Sequence, residues 1–126
     1  MKGMDVALLA IGATLGASVR YAMTQSTLVF HTLPLNILIA NVTGTFLLGV
    51  FVVLFHRWNL DARYALLVAV GFCGSLTTMS SFALESAALL DNSRYLTWAV
   101  HVLTNVGLSI GALIGGKTLT QAILAL

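Results

Sequence analysis

Charge is what this chain has least of. Lys, Arg, Asp and Glu make up only 8% of its 126 residues, against about a quarter in soluble domains. With 59% hydrophobic residues and a mean hydropathy of +0.98, too little polar surface remains to cover a water-soluble core. The six basic residues stand singly along the chain. That excludes a nucleic-acid patch, which needs clustered Lys and Arg. The one cysteine, Cys73, excludes an internal disulfide and a CxxC redox pair, and it reads as a small apolar core residue. Zinc-type ligands are lacking, and no serine has a base and an orienting acid at a spacing suited to nucleophilic catalysis. The residues do not suggest an enzyme.

What the chain does have is hydrophobic length. A spanning helix takes about 20 apolar residues. Hydropathy and punctuation place four such helices, at about 4–26, 35–55, 62–90 and 95–124, in one membrane domain covering 1–126. Lys2 before an apolar run imitates a secretion signal. However, Gly12-Ala-Thr-Leu-Gly-Ala17 has the small-xxx-small spacing of closely packed helices, and no A-x-A cleavage site follows. Arg20 can snorkel and Tyr21 anchor at the far end of the first helix. Pro34 suits the first turn of the second helix, and Trp58 the headgroup level. In the fourth helix Gly107, Gly111 and Gly115 recur every four residues, marking one face for tight helix contact. An even number of spans puts Lys2, Arg57, Arg63 and Lys117 on one side, and Arg20 and Arg94 on the other. So small a Lys/Arg difference leaves both orientations open. Four helices enclose an aqueous path poorly, so a homo-oligomer is expected.

The third helix is interrupted by Gly71-Phe-Cys-Gly-Ser-Leu-Thr-Thr-Met-Ser-Ser-Phe82. At membrane depth, irregular backbone persists only where it is buried in protein or lines a polar cavity. Its freed groups can then serve an ion or small solute. The hydroxyls of Ser75, Thr77, Thr78, Ser80 and Ser81 are more than back-bonding to their own helix requires. Asn41, in mid-helix, is either interhelical glue or a donor aimed at an anion in a pore. Glu85 is an intramembrane carboxylate, a functional candidate by its placement. It would serve proton coupling or an ion pair with Arg20. His101 reads as interfacial. The embedded inventory is almost wholly neutral donors and carbonyls.

Three motifs then carry a resemblance: Gly12-Ala-Thr-Leu-Gly-Ala-Ser-Val-Arg-Tyr21, Asn41-Val-Thr-Gly44, and Gly71-Phe-Cys-Gly-Ser-Leu-Thr-Thr-Met-Ser-Ser-Phe-Ala-Leu-Glu85. In order and over nearly the whole length they resemble the bacterial fluoride channel family, Fluc. The third motif is the specific one. The resemblance implies an all-α membrane protein of four helices with a break near 74–78 in the third, forming an antiparallel dual-topology homodimer. It implies two fluoride pores and a structural sodium ion at the dimer centre, held by the backbone carbonyls of Gly74 and Thr77 from both subunits. Asn41 lines the pore and Arg20 stands at its vestibule. Ser80 and Ser81 supply polar pore positions, as do Thr104 and Ser109 of the fourth helix. The family lines each pore with two phenylalanines three residues apart. Here the second is Phe82, while Met79 holds the first position, with no ring edge to offer an anion. The implied role is passive export of toxic fluoride across the bacterial inner membrane. A small proton-coupled multidrug exporter is the rival of similar size, but such exporters carry an essential glutamate in the first helix, which this chain lacks. A non-transporting membrane scaffold subunit is the rival from another class.

Overall fold

The computed structural model describes residues 3–126. Four helical segments long and apolar enough to cross a membrane run Gly3–Thr24, Asn36–Arg57, Ala62–Asp91 and Tyr95–Leu124. The expected break falls in the third. That segment begins as helix α3 (Ala62–Tyr64), continues as a π-helical run (Ala65–Cys73) and a short α4 (Gly74–Leu76), and resumes as α5 (Met79–Asp91). The other three are α1, α2 and α6. Their outward faces stay apolar: Leu84, Leu96 and Leu103 are 74%, 81% and 72% exposed. In a bilayer such faces meet lipid.

The helices pack as two pairs, α1 with the π-helical run and α2 with α6, and glycine makes both pairings possible. A Cβ on Gly12 would collide with the Leu67 carbonyl, and one on Gly16 with the Phe72 carbonyl. The small-xxx-small motif of α1 therefore brings backbone against backbone, as its spacing predicts. Between α2 and α6 the close approach uses Gly49 and Gly116. The row Gly107, Gly111 and Gly115 is not the contact within this chain, since a Cβ at any of them would meet nothing within 4 Å. The face that packs is set by Gly116, one position off that row.

The connection between α1 and α2 is a small antiparallel hairpin, β1 (Val29–Phe30) with β2 (Leu33–Pro34), turning at His31 with φ 56°. Pro34 thus pairs with Val29 in the hairpin and does not open the second helix. Asn36, the first residue of α2, ties the hairpin down. Its Nδ2 donates to the Met23 carbonyl at 2.7 Å and also to the Ser26 carbonyl, and its Oδ1 accepts the Leu28 N–H at 2.9 Å. One side chain thereby occupies the Met23 carbonyl, which the end of α1 leaves without a helical donor, and a loop carbonyl beyond it.

Candidate functional site

The break itself is two residues, Thr77 and Thr78. Thr77 leaves the helix at ψ 153° and Thr78 is extended at φ −150° and ψ 120°. Gly74, within the expected break of 74–78, is still helical at φ −64° and ψ −29°. The chain departs from helix here because three side chains offer the backbone other partners. The Thr77 hydroxyl donates back to the Cys73 carbonyl at 3.0 Å. Thr78 caps α5, its Oγ1 accepting the Ser81 N–H at 3.2 Å. In a continuous helix the Thr78 N–H would go to the Gly74 carbonyl. Here it donates to Asn41 Oδ1 at 2.8 Å, while Asn41 Nδ2 reaches the Thr78 carbonyl at 3.4 Å. Gly44, one turn along α2, permits this approach, since a Cβ there would lie 2.5 Å from the Thr77 methyl.

Asn41 also begins a chain of buried polar groups. Its Nδ2 donates to Asn105 Oδ1 at 3.2 Å. Asn105 Nδ2 donates to the His101 carbonyl at 3.0 Å and lies 3.3 Å from the ring Nδ1. The His101 ring stacks on Phe82, with centroids 5.0 Å apart and an interplanar angle of 26°. Its Nε2 lies 3.6 Å from Glu85 Oε2, and each of these two atoms is buried without a hydrogen bond. His101 is fully buried in the protein, at 0% exposed. Glu85 faces it rather than Arg20, and among the described residues Arg20 forms no ion pair.

Beside the break lies a cavity of about 300 Å³. Asn41, Met79, Phe82, Asn105 and Ser109 are among its lining residues, together with Thr77 and Thr78. Most of its polar groups are already engaged. The Thr45 and Thr77 hydroxyls bond back to their own helices, and both N–H groups of Asn41 are used. The Ser109 hydroxyl is the exception, buried with no partner. Met79 stands at the opening, 72% exposed.

The structure brings Asn41, Thr77, Met79, Phe82 and Ser109 together, but not all the expected positions. Arg20 and Ser81 line a separate hollow with Tyr21, Thr24 and Ile37 at the end of α1. Ser80 is exposed, its hydroxyl 3.1 Å from that of Thr78. Thr104 does not line the cavity, and its hydroxyl donates to the Val100 carbonyl at 2.7 Å. Asn105, one residue on, takes the inward position. The signal for it lies in the spacing: His101, Asn105 and Ser109 recur every four residues and so share a helix face.

Comparison with known proteins fits this arrangement. The model of the CrcB-like family, described as Camphor Resistance (CrcB), matches residues 7–117. The chain belongs to the CrcB family. A CrcB-family relative named fluoride-specific ion channel FluC, from Nitrosopumilus maritimus, is 60% identical over 125 residues, covering 99% of each chain. Relatives with the same name from Ignicoccus hospitalis and from a Sulfurihydrogenibium species are 36% and 38% identical. Those alignments cover 91% and 90% of this chain, and 94% of each relative. With four spanning helices, this CrcB-family chain is a multi-pass membrane protein.

Proposed function

We propose that this chain is a fluoride-selective channel that lets fluoride leave the cell passively across the cytoplasmic (inner) membrane, working as an antiparallel homodimer. The observation that carries the reading is the Ser109 hydroxyl, buried without a partner in the cavity at a clamped helix break. The relatives' names supply the ion, and name channels rather than enzymes. Fluoride is small and tightly hydrated, so a narrow path must return hydrogen bonds for the water it strips away. Ser109 can donate at once. The Asn41 N–H groups, held at 3.2 and 3.4 Å, can be shared with a passing anion. The Phe82 ring edge adds partial positive charge. Met79 offers no such edge, so conduction is expected to be slower than with phenylalanine there. Arg20 and Ser81, in their separate hollow, act as the vestibule that gathers anions from water, and the exposed Ser80 adds a hydroxyl next to Thr78. Thr104, bonded back to its own helix, contributes least.

The open side of the cavity and the exposure of Met79, which a second copy would cover, support the homodimer. The residues at the break fit a structural sodium ion. Diverting the Thr78 N–H to Asn41 leaves the Gly74 carbonyl without its helical donor. Gly74 is exposed, and a Cβ there would meet only the Ala69 carbonyl, at 3.6 Å. Extended Thr77 turns its own carbonyl out of the helical register. Neutral carbonyl oxygens suit a hard cation, and among the described residues no cluster of His, Cys, Asp or Glu competes as a metal site. Gly74 and Thr77 of both copies would hold the ion, which would supply a fixed positive charge tying the two chains together.

A growth experiment tests the reading. Expressed in bacterial cells stripped of their own fluoride export, the chain is expected to restore growth in fluoride medium. Failure to do so, with the protein present in the membrane, would overturn it.

A further inference from the structure

His101 lies outside the cavity lining, yet the amide chain from Thr78 through Asn41 and Asn105 ends on it. We infer that His101 is a positioning residue: its imidazole, neutral with the proton on Nε2, holds the Phe82 ring and orients the amide chain that clamps the helix break. The inference rests on the channel reading for its function, though not for its geometry.

The tautomer follows from one unambiguous donor. A backbone N–H can only donate, so Thr78 N–H fixes the Asn41 oxygen toward itself, at 2.8 Å. Asn41 must then present its NH2 to Asn105, which answers with its oxygen at 3.2 Å. That orientation leaves the Asn105 NH2 facing the His101 ring, 3.3 Å from Nδ1. A donor opposite Nδ1 requires a lone pair there, so the ring proton sits on Nε2, toward Glu85. A backbone conformation at the break thus sets a proton position two side chains away.

Protonating the ring would put a second N–H at Nδ1, opposite the Asn105 donor. Relief would require Asn105 or Asn41 to turn over, and the clamp on Thr78 would loosen. The groups around the ring are few. From α5 come Phe82 and Glu85, the latter the one titratable group facing it among the described residues. From α2 comes neutral Asn41, through Asn105. The hairpin strand packed on α6, Leu33–Pro34, carries no ionisable side chain. Arg94, at the start of α6, shares a hollow with Glu85. A histidine that merely filled space would have none of these consequences.

The test compares wild type with His101→Phe, which keeps a ring on Phe82 but no acceptor for Asn105, and with His101→Gln, which keeps an acceptor but no ring. Each is purified and its fluoride efflux from liposomes measured between about pH 7.5 and about pH 4.5, reaching below the range of a free imidazole. Protein-free liposomes correct for leak. Wild-type efflux is expected to fall with acid, and both variants to lose that dependence. At the upper pH each variant is expected to run about fivefold slower, the equivalent of one lost hydrogen bond. Variants with wild-type rates and an unchanged pH profile would overturn the inference. So would a proton found on Nδ1 by nitrogen NMR of the histidine-labelled protein in micelles. If that spectrum shows the Nε2–H form but wild type passes no fluoride, the channel reading fails while the tautomer stands.

Discussion

Asn41 offers the sharpest perturbation, because alanine and aspartate there should fail differently. Alanine removes the acceptor for Thr78 N–H and the donor to Asn105, on residues only 8% and 4% exposed. Two buried polar groups left without partners would cost about 2–6 kcal/mol at about 1–3 kcal/mol each. Interhelical hydrogen bonds within membranes are worth less, on average about 0.6 and at most about 1.7 kcal/mol. The cavity decides between these ranges. With about 300 Å³ opening on both groups, water can replace part of what is lost. A destabilisation of about 1–2 kcal/mol is therefore expected for Asn41→Ala. Aspartate instead keeps an acceptor for Thr78 N–H but sets a negative charge beside the anion path. At a separation of about 4 Å and an effective dielectric constant of about 20, the repulsion is about 4 kcal/mol, roughly a thousandfold in rate. Thermal unfolding in detergent and fluoride efflux from liposomes separate the two effects. Alanine should lower stability with a modest loss of flux, whereas aspartate should nearly abolish flux. Wild-type flux through Asn41→Asp would refute the placement of Asn41 on the path.

Other outcomes follow from the same geometry. Ser109→Ala should slow fluoride efflux by about fivefold, the equivalent of one hydrogen bond, while Thr104→Ala should leave it unchanged; equal effects would contradict the assignment of cavity-facing positions. Met79→Phe should raise efflux by restoring a ring edge, and equal rates would remove any role for the ring. Gly16→Val would drive a side chain into the Phe72 carbonyl, so little folded protein should be recovered, with a cost beyond the about 1–3 kcal/mol of ordinary overpacking because the backbone must move. Replacing sodium by a large organic cation throughout purification should lower the dimer's unfolding temperature, and no shift would count against a sodium site at Gly74 and Thr77.

Much of this molecule is legible in its sequence because a bilayer leaves few choices. Four apolar stretches of spanning length must be helices, and hydroxyls and glycines clustered in one of them announce a break. Its position is another matter. Within the expected 74–78 it is narrowed to Thr77 and Thr78, because the partner that diverts the backbone is Asn41 on a different helix. Tertiary contact likewise hid His101. Nothing in the residue order puts the Phe82 ring on its imidazole. Asn105 could have been found from its four-residue spacing between His101 and Ser109, whereas Thr104 came from the family resemblance. Gly107, Gly111 and Gly115 were expected to mark a face for tight helix contact, yet within the chain that contact is made at Gly116. Nothing in the residue order distinguishes the π-helical run from ordinary helix, since both bury the same apolar side chains.

The most direct measurement is anion release from liposomes containing the purified protein, with fluoride read by electrode and chloride as its control. Fast fluoride release without chloride release is the expected result. Release of both ions at comparable rates, or of neither from a well-folded dimer both as purified and with phenylalanine at position 79, would contradict a fluoride-selective channel.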